Sequence, residues 1–255
     1  MSTISIIGRG LDPAKHLSLS AIKALQGAEK IVGIESETTF WKELQEKYGI
    51  EDVEDVGHLY FNQNRDVDNY NRFINYLHHL SSRFSHLAVL VPGHPRLGVS
   101  FIELLKRDAP NHLNIQFVDG ISSFDAMTTL LGIDPLEQGT ALLDANRMLL
   151  FKYVLEPALS YFIYHICSVG NSNTDFLEPS LDNRLDLLKH YLLTYYPKDK
   201  KVFLCRIANG LHENSTLLCS TLMELDASQI DFSTTLYLPP EKSTKIDKAF
   251  LKLLR

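Results

Sequence analysis

The sequence predicts an α/β protein: an open, mostly parallel sheet in the first half of the chain, then a second α/β or α+β lobe. Three observations carry this expectation. Short β-branched or apolar runs alternate with helix-periodic segments. Several of these runs end in glycine- or proline-rich turns. Beyond Gly132-Ile133-Asp134-Pro135 the spacing of the runs changes. A chain of 255 residues, 45% of them hydrophobic, fits one large domain or two modest ones, either able to bury a core without disulfides or metals.

Ile4 to Ile7 is the first strand, closed by Gly8-Arg9-Gly10, and Ser18 caps a helix with Leu19, Ile22, Leu25 and Ala28 on one face. Ile31 to Ile34 reads as a second strand and Phe40 to Tyr48 as a helix stopped by Gly49. Val53 to Val56 follows, then a polar stretch from Asn62 to Asn69, then a helix to about Leu80 carrying Tyr70, Phe73, Ile74 and Leu77. Leu87 to Val91 is a continuous apolar run, as a strand buried on both faces requires, and Pro92-Gly93-His94-Pro95 forms its loop. A helix at 99–107, a strand at 115–118 and a helix opening near Phe124 complete the first half. The second half predicts a mixed helical region after Ala141 to Asp144, an apolar run at 159–169, a long helix from about Leu181 to Tyr195, and strands at 202–207 and 234–238. With the boundary near Pro135, the lobes are 1–135 and 136–240, followed by a tail, 241–255. In the tail, Ile246, Phe250, Leu251 and Leu254 predict a helix docking on its own protein or on a dimer mate.

A net charge of −6 without a basic block argues against nucleic-acid binding, which needs clustered Lys and Arg. The apolar stretch Leu149 to Gly170 contains Lys152, Glu156, Pro157 and His165 and reads as buried protein rather than a membrane span. Met1 to Gly10 lacks the basic segment of an export signal, so a cytoplasmic location is expected. Three scattered cysteines and the isolated His78-His79 pair have no metal-ligand spacing.

The loops are the informative part. Gly8-x-Gly10 lacks the third glycine of a dinucleotide turn. Pro92-Gly93-His94-Pro95-x-x-Gly98 is a rigid loop that is either a structural turn or an open backbone for a ligand, and His94 is either a hydrogen-bonded loop residue or a catalyst. Ser122-Ser123 is either an N-cap pair or a source of hydroxyls and amides for a carboxylate or ribose.

In chain order, Gly8-Arg9-Gly10, Val91-Pro92-Gly93-His94-Pro95, Asp119-Gly120-Ile121-Ser122-Ser123 and Leu131-Gly132-Ile133 resemble the tetrapyrrole methylase superfamily of S-adenosylmethionine-dependent methyltransferases, and the similarity runs over residues 4–240. The resemblance implies a class III methyltransferase-like fold, two α/β lobes with S-adenosylmethionine in the cleft between them and S-adenosylhomocysteine as product. It implies that Gly8, Pro92, Gly93, His94 and Leu97 lie at the methionine end, that Ser122 and Ser123 meet its polar groups, and that His165, Ala208, Thr234 and Thr235 enclose the adenosine.

Within the superfamily, the His16-Leu17-Ser18 step, Gly93-His94-Pro95, Asp134-Pro135, Tyr164-His165-Ile166, Tyr195-Tyr196-Pro197-x-Asp199 and the run Ser233 to Pro240 look like the borosin enzymes, which α-N-methylate the backbones of ribosomally made peptides. That likeness implies a catalytic group of two tyrosines, Tyr60 and Tyr70, with an arginine. Arg65 lies within a residue of the expected place, and Arg72 is the alternative. An amide nitrogen is a poor nucleophile because its lone pair is delocalised into the carbonyl. The implied roles are therefore deprotonation and orientation by the tyrosines and charge stabilisation by Arg65, a nearby cation lowering the phenol from its reference pKa of about 10. Pro92 replaces the family's tyrosine before Gly-His-Pro, which removes a hydroxyl and leaves the substrate class open. The expected partners are a second copy of the chain, as a homodimer, and a separate precursor peptide, since the tail after Pro240 is too charged to resemble a fused peptide core. Methylation of a tetrapyrrole carbon and a non-catalytic cofactor-binding module are the alternatives.

Overall fold

The apolar runs of the first half become five strands, β1 (Ser2–Gly8), β2 (Lys30–Gly33), β3 (Val53–Asp55), β4 (His86–Val91) and β5 (Leu113–Val118), in a computed structural model. The described residues are 2–33, 38–51, 53–62, 64–173, 175, 178, 180–208, 214–241 and 246–254; Ile34, Lys242 and Lys245 of the expected strand and tail lie outside them. The chain divides into two compact units, one comprising Met1–Leu131, Ser172–Glu178 and Ile207–Thr216, the other Gly132–Asn171, Pro179–Arg206 and Leu217–Arg255.

In the first unit all strand pairs are parallel and the order is β3-β2-β4-β1-β5. A strand sends alternate side chains to opposite faces, so a continuous apolar run feeds two cores. Ile4, Ile6, Leu87, Val89 and Val91 pack with Phe73, Ile74 and Leu77 of α4 (Asp66–Ser81) and with Phe101 and Leu105 of α5 (Phe101–Asp108). Ile7, Ala88 and Leu90 pack instead with Ala21 and Leu25 of α2 (Leu19–Gln26) and with Phe40 and Leu44 of α3 (Thr38–Tyr48). Crossovers after β1 and β2 run toward the β3 edge over one face, and those after β3 and β4 run toward β5 over the other. The chain thus reverses direction between β1 and β4, whose carboxyl ends lie side by side, and such reversals are where α/β sheets bind ligands. The predicted α/β class and parallel sheet are what this unit contains.

The second unit carries a mixed sheet of β6 (Thr140–Asp144), β7 (Ser160–Tyr164), β8 (Lys201–Arg206), β9 (Thr216–Thr221) and β10 (Thr234–Leu238), ordered β6-β7-β10-β8-β9. β6 and β7 are parallel, and β10 runs antiparallel to both β7 and β8. Met148 of α7 (Ala145–Phe151) and Leu185, Leu188 and Leu192 of α8 (Leu185–Leu192) cover Ile163, Leu204, Leu236 and Leu238.

The helix expected from Leu181 to Tyr195 is shorter at both ends. Asp182 takes a left-handed φ of 57° and Arg184 occupies the N-cap, while Tyr195 and Tyr196 fold back on the Leu192 carbonyl ahead of Pro197, which disfavours helix in the residue before it. Among the elements not anticipated are the single turn α1 (Pro13–His16) and the edge strand β9. No helix among the described residues is long and apolar enough to cross a membrane.

Candidate functional site

Three loops of the first unit meet at the carboxyl ends of β1, β4 and β5. Gly10 and Gly93 exchange backbone hydrogen bonds, Gly93 N to Gly10 O at 2.9 Å and Gly10 N to Gly93 O at 3.2 Å. A Cβ on Gly8 would stand 2.6 Å from Gly93 O and 2.8 Å from Gly120 N, so Gly8 and Gly120 are glycines because backbone fills the side-chain space. Gly93 differs: its φ is +65°, and a Cβ there would meet nothing nearer than Leu11 Cδ2 at 3.8 Å. His94 Nδ1 accepts the Arg96 amide at 3.1 Å, so in the neutral ring the proton sits on Nε2, which faces Asp119 Oδ1 at 3.4 Å. Pro92 is exposed, whereas Leu97 is half-buried and donates its amide to the His94 carbonyl. Ser122 is the N-cap of α6 (Ser123–Leu131). Its hydroxyl donates to Asp125 Oδ2 at 2.6 Å and accepts the Asp125 amide at 3.3 Å, a reciprocal capping arrangement, and half-buried Ser123 begins the helix.

Tyr60 and Tyr70 come together around one carboxylate. Tyr60 Oη donates to Asp66 Oδ1 at 2.7 Å, and Tyr70 follows one helical turn after Asp66. Burial, the hydrogen bond to Asp66 and the Asp66 charge push the Tyr60 phenol well above its ordinary value. Burial and Asp66 also raise Tyr70, against a small opposing effect of its hydrogen bond with Ser100. The expected lowering by an arginine is therefore reversed in direction, because the charge acting on both phenols is negative.

Each arginine has another task. Arg65, exposed, pairs with Asp68 through Nε at 3.0 Å and Nη2 at 3.2 Å. Arg72 donates from Nε to the Leu59 carbonyl at 3.2 Å, bonds Asn69 through Nη2, and lies 4.6 Å over the Phe61 ring. Asn69, 1% exposed, accepts the Phe61 amide and donates to the Phe61 carbonyl, each at 3.0 Å. Asn69 and Arg72 thus staple the Tyr60 loop to α4.

In the second unit, His165 follows β7 in a left-handed conformation and its Nδ1 lies 2.6 Å from Asp144 Oδ2 at the end of β6. Burial works to raise the Asp144 carboxyl. The hydrogen bond with His165, the Arg147 amide and the charges of both residues outweigh it and hold the carboxyl below the usual range. Thr234 and Thr235 are buried at the start of β10, paired with Arg206 and Cys205 of β8. Thr234 Oγ1 donates to Asp231 Oδ1 at 2.7 Å, and Arg206 Nε lies 2.7 Å from Asp231 Oδ2. The β7–β10 register, Leu236 opposite Ile163, runs the threonines toward the His165 end. Ala208 belongs to the first unit, where its amide donates to Ser215 Oγ at 3.1 Å.

The sequence matches the model of the Tetrapyrrole (Corrin/Porphyrin) Methylases over residues 3–209. The chain belongs to this family. Among curated tetrapyrrole methylase relatives, a methyltransferase/ribosomally synthesized type I borosin cyclic peptide precursor of Coprinopsis marcescibilis is 22% identical over 98% of this chain and 66% of its own length. A protein of the same description from Serendipita vermifera subsp. bescii is 24% identical over 96% of this chain and 60% of its own. The chain therefore spans somewhat less than two thirds of these relatives. The tetrapyrrole methylase fold recurs in the solved methyltransferase CobJ, with a TM-score of 0.66 at 12% identity over 97% of this chain and 98% of that one. The precorrin-6Y methylase of Archaeoglobus fulgidus has a TM-score of 0.58 at 16% identity over 94% and 99%.

Asp66, Asn69 and Asp144 were assigned no role from the sequence of this tetrapyrrole methylase, and Gly120 was noted only as part of its motif. Asp66 carried the clearest available signal, four residues before Tyr70 on a helical face.

Proposed function

We propose that the protein is an S-adenosylmethionine-dependent methyltransferase acting on the backbone amides of a separate peptide. Family membership supports methyl transfer, and the curated relatives, named as methyltransferases joined to borosin peptide precursors, support a peptide acceptor. The observation that carries the reading is the pair Tyr60 and Tyr70, held on a stapled loop and a helix beside one carboxylate. The helix α9 (Lys248–Leu253) carries Lys248 and Lys252.

The donor set suits the cofactor. An amino-acid terminus needs both donors and acceptors, which the Ser123 hydroxyl and the His94 ring can supply. A Cβ at Gly93 would make ordinary contact with Leu11 Cδ2 at 3.8 Å and the Ile121 carbonyl oxygen at 3.9 Å. In the second unit, His165 and the Thr235 hydroxyl offer a ring and a hydroxyl for a nucleoside, while Thr234 holds Asp231; in the first unit, the Ala208 segment offers backbone. When bound, S-adenosylmethionine supplies an electrophilic sulfonium methyl. The chain's own contribution is to orient the amide: Tyr70, neutral, donates to its carbonyl oxygen and makes the N–H more acidic, while Tyr60, whose own proton is directed to Asp66, faces the nitrogen.

Incubating the protein with S-adenosylmethionine and a peptide encoded beside its gene should add mass in steps of one methyl group, with fragmentation placing them on backbone nitrogens. No added mass on any peptide, together with an absorbance change on a uroporphyrinogen-type substrate, would replace this reading with methylation of a tetrapyrrole carbon. We further propose a homodimer: α9 buries none of its side chains, and Phe250 and Leu253 are exposed for a second copy to cover.

A further inference from the structure

We propose that Asp66 is the proton acceptor of the reaction, acting through Tyr60 as a two-residue relay. The inference rests on the peptide-methylation reading and concerns a residue that the likeness to borosin enzymes assigns no role. Asp66 is the first residue of α4, and its amide donates to the Ser172 carbonyl at 2.8 Å, so backbone hydrogen bonding fixes the carboxylate where Tyr60 Oη reaches it at 2.7 Å. Asn69 clamps both backbone groups of Phe61, the residue after Tyr60, so the phenol is held from two sides. Tyr60, Asp66 and Tyr70 are all half-buried, neither sealed from a substrate nor fully in water.

The carboxylate of Asp66 already accepts the Tyr60 proton and provides a route for it to leave, and burial with the Asp66 charge, which raises both phenols, disfavours tyrosinate as the resting base. In the transfer the nitrogen–methyl bond forms as the methyl–sulfur bond breaks, and that electron pair stays on sulfur. The amide proton, increasingly acidic as the new bond grows, passes to Tyr60 Oη while the phenol's own proton passes to Asp66 Oδ1 and then to water. Charge is balanced: the sulfonium becomes a neutral thioether and the carboxylate a neutral acid. Asp66 touches no reacting atom. It is a positioning residue whose basicity is used through Tyr60. At the start of α4 the charged groups beside the relay are Asp66 itself, the ion pair of the N-cap Arg65 with Asp68, and Arg72, which bonds Leu59 and Asn69.

The test is a variant series in the full chain. Asp66→Asn keeps the shape and can still accept from Tyr60 but is not a base. The relay predicts a kcat lower by about 100-fold with KM for the peptide within about threefold of the unsubstituted protein. Asp66→Glu should recover part of the rate, and Tyr60→Phe/Asp66→Asn should be no slower than Tyr60→Phe alone. Carbon-13 labelling of tyrosine Cζ gives a readout free of substrate: the resonance lost in Tyr60→Phe should shift in Asp66→Asn. If Asp66→Asn does not fold, Asp66→Glu and Tyr60→Phe carry the comparison. An Asp66→Asn protein as fast as the unsubstituted one overturns the relay alone. An unsubstituted protein that methylates no peptide overturns the substrate reading and the relay with it.

Discussion

Gly8 and Gly93 look alike in sequence, each a glycine at a strand's carboxyl end, yet they are constrained by different physics. At Gly8 the obstacle is backbone in the space a Cβ would need, so Gly8→Ala must push β1 and β4 apart and should cost about 3 kcal/mol in urea denaturation. At Gly93 a Cβ would make only ordinary contacts and the left-handed φ alone is strained, so Gly93→Ala should cost about 1 kcal/mol and keep the fold. The Asp144–His165 pair gives a pH prediction. A carboxyl whose folded value lies below its unfolded value adds stability above the ordinary carboxylate range, and that contribution is lost as pH falls through the folded value. Asp144→Asn retains a good N-cap for α7, so denaturation midpoints measured from pH 6 down to about pH 3 should fall less steeply in the variant than in the unsubstituted protein. Little of this was legible in the sequence. Asp144 and His165 are 21 positions apart, and only the β6–β7 pairing brings them together. Ser122 was readable as a cap because its partner, Asp125, lies within the same helical turn.

Elements were legible in proportion to how much their own residues determined them. β1 and β4 are buried on both faces and announce themselves as continuous apolar runs, and Ser18 marks the start of α2 by accepting the Ala21 amide. β9 escaped notice because it is a sheet-edge strand with Leu217 and Leu218 both exposed, so it lacks the alternation of a half-buried strand. The staple between α4 and the loop before it is the element most open to test. Asn69→Ala leaves the Phe61 amide and carbonyl without the partner that now satisfies both. It should cost about 2–4 kcal/mol in chemical denaturation. The two arginines should separate cleanly in the same measurement. Arg65→Ala removes an exposed ion pair and should change stability by less than about 1 kcal/mol, whereas Arg72→Ala removes a carbonyl hydrogen bond and a ring contact and should cost about 1–3 kcal/mol.

At the scale of the whole molecule, a doubly wound parallel unit and a mixed-sheet unit each enclose their own core. The sequence suggested a change in pattern near Pro135, whereas the contacts divide the chain after Leu131. The later return of short segments to the first unit was not visible in the sequence, because nothing in the composition of 172–178 or 207–216 distinguishes them from surface loop. Removing residues 246–255 should leave the melting temperature in dilute solution unchanged within about 1–2 °C, since α9 buries no side chain, and light scattering should show a smaller particle if α9 joins two copies. The returning segments also bear on biosynthesis. The amide of Asp66 is satisfied by the carbonyl of Ser172, more than a hundred residues further along. A ribosome that has delivered only the first 131 residues has made all five strands of the parallel sheet, but not the residue that completes the first turn of α4. The last step in assembling the first unit must therefore wait until much of the second has been synthesised.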